Sequence, residues 1–183
     1  NARRGQEDIY NQFYFTIDGK EENINTSELY FTPIHVTDSS VTMRLAFSAD
    51  KYIDFNYSLL PDSYMLNLSI EAHNMQGTLP GSTRELGITW DQLLRQQEKG
   101  FTFEQQYTNI TYKIADDGTD NLSERTNDKE NIEEPVDWVA FKNQFFSCIM
   151  IAGDKFDKVY LESDTINEGK GYLKNCYASM YTP

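Results

Sequence analysis

Apolar and polar residues alternate with a period of two along much of the chain, the pattern of strands that bury one face. Over residues 12–17, Phe13, Phe15 and Ile17 share a face, and Asp18-Gly19 follows as a turn. Over residues 41–47, Val41, Met43, Leu45 and Phe47 point one way and Thr42, Arg44 and Ala46 the other. Over residues 52–60 the inward set is Ile53, Phe55, Tyr57 and Leu59, and Pro61-Asp62-Ser63 makes a turn. Then Tyr64, Leu66, Leu68, Ile70 and Ala72 alternate with Met65, Asn67, Ser69 and Glu71. Successive amphipathic strands joined by short turns predict an antiparallel meander, with one face on a core and one in water.

Residues 73–87, with Gly77, Pro80, Gly81 and Gly87, read as a loop. Residues 86–98 carry helix signals. Thr89 and Gln92 match a capping box, Ile88 and Leu93 a hydrophobic staple, and Gly100 a stop. The charged and polar run 95–99 predicts that this helix lies on the surface, with Trp90 at its exposed first turn. Phe101, Phe103 and Tyr107 then suggest a strand that changes phase to Ile110, Tyr112 and Ile114, which a bulge or bend between Tyr107 and Ile110 would resolve. Residues 116–134 are polar and acidic, with only Leu122 and Ile132 apolar, and predict a mobile loop with a short strand near Leu122. Pro135 closes it. Residues 136–152 are too apolar for a surface element. They fit one buried helix, on the spacing of Trp138, Phe141, Phe145 and Ile149, or a strand, a short helical turn and a second strand. Residues 156–161 and 172–181 read as two more strands around the Gly-rich turn 168–171. No repeat and no second domain emerges, so residues 1–183 are expected to form a single domain.

Composition agrees with strands: 12 Tyr and 11 Phe sit in a chain that is 39% hydrophobic, long enough for a real core. A net charge of −13 argues against nucleic acid and against docking on an anionic membrane surface, and it serves solubility. No stretch approaches the ~18 apolar residues of a membrane span. The chain opens on Asn1-Ala2-Arg3-Arg4 without Met, as expected of a piece excised from a longer protein.

Candidate chemistry is sparse. His35 and His73 have no Cys or His at ligand spacing, so no metal site is expected. Asp116-Asp117-Gly118-Thr119-Asp120 is out of register with a calcium loop, and Glu124 is misplaced for its bidentate ligand, which leaves a solvated turn. Glu71, Glu85 and Glu104 are the carboxylates in or near ordered elements, and glycosidase chemistry would need two of them across a cleft. Nucleophile elbows, phosphate loops and Cys/His pairs with a recognisable context are absent, so no catalytic residue and no cofactor is expected. Cys148, inside an apolar run, reads as a buried free thiol, and a disulfide to Cys176 stays open. The Asn-x-Ser/Thr triplets at Asn25, Asn56, Asn67, Asn109 and Asn121 read as chance products of polar strand faces. Trp138 reads as core, whereas Trp90 is open to a binding role.

The run Asp137-Trp138-Val139-Ala140-Phe141-Lys142-Asn143-Gln144-Phe145-Phe146 resembles the Trp-Val-Ala block of the large periplasmic domain of the YidC insertase family, in its Bacteroides-like group. Residues 52–72 resemble that domain's paired strands, 86–100 the segment before its aromatic strand, and 172–180 a later strand. The resemblance implies an all-β fold, a twisted antiparallel β-sandwich (supersandwich) similar to the sugar-binding domains of aldose epimerases, with one or two short helices. It selects the strand, turn and strand reading of 136–152. It also implies a non-catalytic domain of a bacterial inner-membrane protein, accessory to the membrane-embedded insertion machinery and in contact with Sec translocon subunits and nascent membrane proteins. The membrane would be reached only through parts of the parent outside this chain. Against the full domain, opening strands before Asn1 and closing strands and a linking helix after Pro183 are expected to be missing from this piece. Unpaired strand edges and self-association are therefore expected. A carbohydrate-binding or carbohydrate-active domain of the epimerase-like type is the alternative, since fold alone does not set function. An extracellular adhesin or lipoprotein sandwich also fits the composition.

Overall fold

In a computed structural model, residues 11–20, 22–80 and 85–183 are described. The first four residues, and Gly81 of the expected loop, lie outside them. The strands in chain order are β1 (Gln12–Ile17), β2 (Ile24–Asn25), β3 (Thr32–Ile34), β4 (Ser40–Ala46), β5 (Tyr52–Leu59), β6 (Leu66–His73), β7 (Leu86–Arg95), β8 (Asn109–Ile114), β9 (Thr119–Asn121), β10 (Asp128–Ile132), β11 (Val136–Lys142), β12 (Ser147–Thr165) and β13 (Tyr172–Thr182). One helix, α1 (Phe101–Gln106), and 3-10 turns at Thr26–Glu28 and Met75–Gly77 complete the described elements. The fold is all-β and antiparallel. By their contacts, the residues form two compact units, Asp18–Thr83 and the joined segments Asn1–Ile17 and Arg84–Pro183.

The unit Asp18–Thr83 holds the expected meander, extended by one strand into an antiparallel sheet of order β3-β4-β5-β6. Cross-strand partners show why the alternation matters. One face carries Thr42, Asn56 and Ser69, then Arg44, Asp54 and Glu71. The other carries Val41, Tyr57 and Leu68, then Met43, Phe55 and Ile70. Ile53, Phe55 and Leu45 are its buried centre, with Met75 from the 3-10 turn, and Phe31 meets Phe55 edge to face at 5.2 Å. The Pro61-Asp62-Ser63 turn forms as expected, with Asp62 at φ 57 and Ser63 N donating to Leu60 O at 3.2 Å.

In the other unit the strands follow the order β1-β7-β13-β12-β11-β8-β9. The long β12 organises it. Its first half pairs with β11; its second half pairs with β13 on one edge and β10 on the other. Two sheets are thus joined through a single strand and face each other across a sandwich-like core, where Trp90 of β7 stacks on Phe141 of β11 at 3.7 Å. Leu161, Leu173, Val139, Ile110 and Tyr112 are buried in the same core.

Several local expectations are corrected. Residues 86–95 are a strand, not a surface helix: β7 is central, paired with β1 and β13, and buried on both faces. Gly87 is part of that strand, not of a loop. A Cβ there would lie 3.3 Å from Thr16 O and 3.4 Å from the Tyr181 ring, so the close approach of β1 and β13 requires glycine. Residues 101–106 are the helix. Phe101 and Glu104 point inward, Phe103 outward, and the Glu104 carboxylate accepts from Gln97 N and Glu98 N at 3.0 and 2.9 Å. The phase change at Tyr107 is thus a change of element rather than a bulge.

Residues 116–134 are ordered. Leu122 and Ile132 are buried, β10 pairs with β12, and the buried Lys174 Nζ donates to Ser123 O at 2.9 Å. Tyr112 Oη donates to Glu130 at 2.7 Å, and Asn127 Oδ1 accepts from Thr165 N at 2.8 Å. The short strand expected near Leu122 is β9. Residues 136–152 are strand, turn and strand, and the two final strands are β12 and β13, with Gly169 and Gly171 at positive φ in the turn between them.

Candidate docking surface

The polar face of the β4-β5-β6 sheet carries a row of charged and polar side chains. Arg44 donates from Nε and Nη2 to the two oxygens of Asp54, both at 2.7 Å, and its guanidinium lies 3.5 Å from the centre of the Tyr52 ring. His73 stacks on the Tyr52 ring at 4.6 Å between centroids, with Nε2 4.0 Å from Asp54 and 3.8 Å from Glu71. Beside it Thr42 Oγ1 donates to Asn56 Oδ1 at 2.7 Å. The fork of hydrogen bonds from Arg44 holds the Asp54 carboxyl below the usual carboxylate range, against the opposing effect of burial. A carboxylate fixed in its ionised form by a bidentate partner is a structural clasp, not a proton donor poised for acid catalysis.

The carboxylates singled out in the sequence are engaged separately. Glu71 is beside His73, Glu85 accepts from Lys158 Nζ at 2.7 Å, and Glu104 is buried against the backbone before α1. His35 sits at φ 48 in the turn before β4. Asp116-Asp117-Gly118 is the β8–β9 turn, with Asp116 at φ 58 and Gly118 N donating to Asp117 Oδ1 at 2.7 Å. Among the described residues no group of three or more His, Cys, Asp or Glu is placed to hold a metal ion, and no helix is long and apolar enough to cross a membrane.

Cys148 is a free thiol as expected, but an exposed one rather than a buried one. Cys176 is also free and is buried, where burial pushes its thiol up to about 12. The tryptophans are exchanged in role as well. Trp90 is buried at 8% exposure, whereas Trp138 is only half-buried, on the face of β11 opposite the buried Val139 and Phe141. Asn25 accepts from Ser27 N at 3.0 Å as the cap of a 3-10 turn, and Asn109 is buried, out of reach of a glycan.

What the sequence reading missed is an apolar end on the Asp18–Thr83 unit. The turn between β5 and β6 and the turn between β3 and β4 lie at the same end of the sheet, joined by Leu59 N donating to Ser39 O at 2.8 Å. Val36, Leu59, Leu60, Tyr64, Met65 and Leu66 are all exposed there, Tyr64 fully so. Leu59, expected to face inward, and Tyr64 and Leu66 keep the rhythm of alternating strands, which gives no sign of their exposure. These exposed apolar residues are gathered in one place on a chain of net charge −13.

Comparison with known proteins places the chain. The model of the family described as the YidC periplasmic domain matches residues 2–182, across both units. The "Membrane protein insertase YidC" of Phocaeicola vulgatus is 51% identical over 92% of this chain and 27% of its own length. That of Porphyromonas gingivalis is 40% identical over 99% of this chain and 28% of its own length. A more distant namesake from Chlorobaculum parvum is 26% identical over 81% of this chain. The chain therefore spans little more than a quarter of the curated relatives it matches. No solved structure gives a significant match. With a family match that runs from residue 2 to residue 182, the chain belongs to the YidC periplasmic domain family.

Proposed function

We propose that this chain is a non-enzymatic accessory domain of a membrane protein insertase, and that it contacts Sec translocon subunits or emerging membrane proteins on the periplasmic side. The family match supports the setting. The observation that carries the contact role is the exposed apolar end formed by Val36, Leu60, Tyr64 and Met65. Aromatic and aliphatic side chains that remain in water on an acidic protein gain free energy when a partner covers them, about 25 cal/mol per Å² of apolar area buried. The carbohydrate reading finds less support, because Asp54 is clasped by Arg44 and Glu85 by Lys158. Residues 1–183 are taken to serve this role together, as one periplasmic domain.

The test is photocrosslinking in cells, with the full-length parent carrying a photoreactive residue at Tyr64 and, as a control, at the exposed Lys170 in the β12–β13 turn. Adducts with translocon subunits or nascent membrane proteins from Tyr64 and not from Lys170 are the expected result. Equal labelling from both positions, or none from Tyr64, would remove the contact role from this end of the domain.

A further inference from the structure

The first half of β12 has an edge that no described strand covers. β11 pairs with this half on one side, and β10 continues along that same side, whereas β13 reaches only to Asp157. Residues 147–155 thus turn every second backbone N–H and C=O outward. Other described edge strands carry devices that discourage pairing: Pro33 in β3, Asp120 in β9, and Asp128, Lys129 and Glu130 in β10. Residues 145–153 contain no charge and no proline, and Phe145, Phe146, Ile149 and Ile151 are exposed. A long, apolar, unprotected edge is a template for another strand.

We propose that this edge pairs antiparallel with the same edge of a second copy of the chain, with Met150 opposite Met150. The segment is self-complementary in that register. Ile149 of each copy faces Ile151 of the other on one side of the sheet, Cys148 faces Ala152, and Ser147 faces Gly153. Phe146 meets Asp154 and Phe145 meets Lys155, so no like charges are opposed. Centring the pair on Cys148 would set four strand residues, 150–153, against the turn at 143–146, where the Met150 register sets only Asp154 and Lys155 against it; centring it on Ala152 would set Asp154 and Lys155 against Met150 and Ile149. The net charge of −13 on each copy opposes association. Salt screens that repulsion over a Debye length of about 8 Å at physiological ionic strength, so the dimer tightens as salt is raised.

Sedimentation equilibrium of the 183-residue chain tests this. The expected result is a monomer–dimer equilibrium that salt favours. The double variant Ile149→Lys/Ile151→Lys opposes lysine to lysine at both pairs and should weaken the dimer about tenfold or more. Both positions are exposed, so its melting temperature should match the parent chain. Under oxidation, A152C should crosslink between copies through Cys148 faster than G153C. A chain that stays monomeric at every concentration and salt overturns the proposal and leaves the edge to a strand from another polypeptide. A dimer indifferent to the double lysine variant, or crosslinked better by G153C, overturns it equally.

Discussion

Arg44 and Asp54 show how a single contact makes stability depend on pH. The folded-state carboxyl of Asp54 titrates below its unfolded value of about 3.9, chiefly through the hydrogen bonds from Arg44. Its contribution is therefore full above that pH and is lost as pH falls through the lower folded value. The stability gap between the parent chain and Asp54→Asn should be constant near neutrality and shrink below about pH 4. Urea midpoints measured from pH 7 downward read this, and a gap that widens on acidification would contradict it. The cysteines make a second prediction. A thiol reagent near neutral pH should label Cys148 and leave Cys176 untouched until the chain unfolds, because Cys176 is buried and its thiolate is disfavoured. Mass spectrometry of the labelled peptides reads both sites at once.

At the scale of elements, β7 and α1 exchange the roles that local pattern suggests. Thr89, Gln92 and Gly100 are competent helix punctuation, yet residues 86–95 are flanked by β1 and β13 and buried on both faces, and that pairing outweighs local signals of a kcal/mol or so. Residues 101–106 alternate Phe101 and Phe103 as a strand would. Gly100 O accepting from Glu104 N at 3.0 Å, and Glu104 anchoring the preceding turn, settle the helix instead. Trp90 belongs to this argument. Its stack on Phe141 joins the two sheets of its unit, so Trp90→Ala should cost about 3–5 kcal/mol in urea unfolding, the range for emptying a buried aromatic site. An exposed helical Trp90 would have cost far less.

At the scale of the whole chain, two compact units share one family match. The chain is a periplasmic domain of a bacterial inner-membrane protein by that membership. The described core of Asp18–Thr83 rests on Leu45, Ile53, Phe55 and Met75, far fewer buried residues than the other unit holds. Both tryptophans lie in the larger unit. Unfolding followed by far-UV circular dichroism should therefore begin at lower denaturant than unfolding followed by tryptophan fluorescence. Coincident transitions would mean that the units melt as one.

The alternation of Phe13 to Ile17, of Val41 to Leu45 and of Ile53 to Tyr57 by itself determined the all-β class and the meander, because a period of two admits only one way to bury a face. The Trp138 block, with the order of elements around it, pointed to the family that the match over residues 2–182 shows. Tertiary structure alone decided which apolar residues are covered. Tyr64 and Leu66 keep the strand rhythm yet stay in water, while Leu122 and Ile132, lone apolar residues in an acidic run, are buried beside β12 and Lys174. Burial depends on which partner lies opposite, and partners such as β10 with β12 are distant in sequence. Local pattern therefore records the face of each strand but not what meets it.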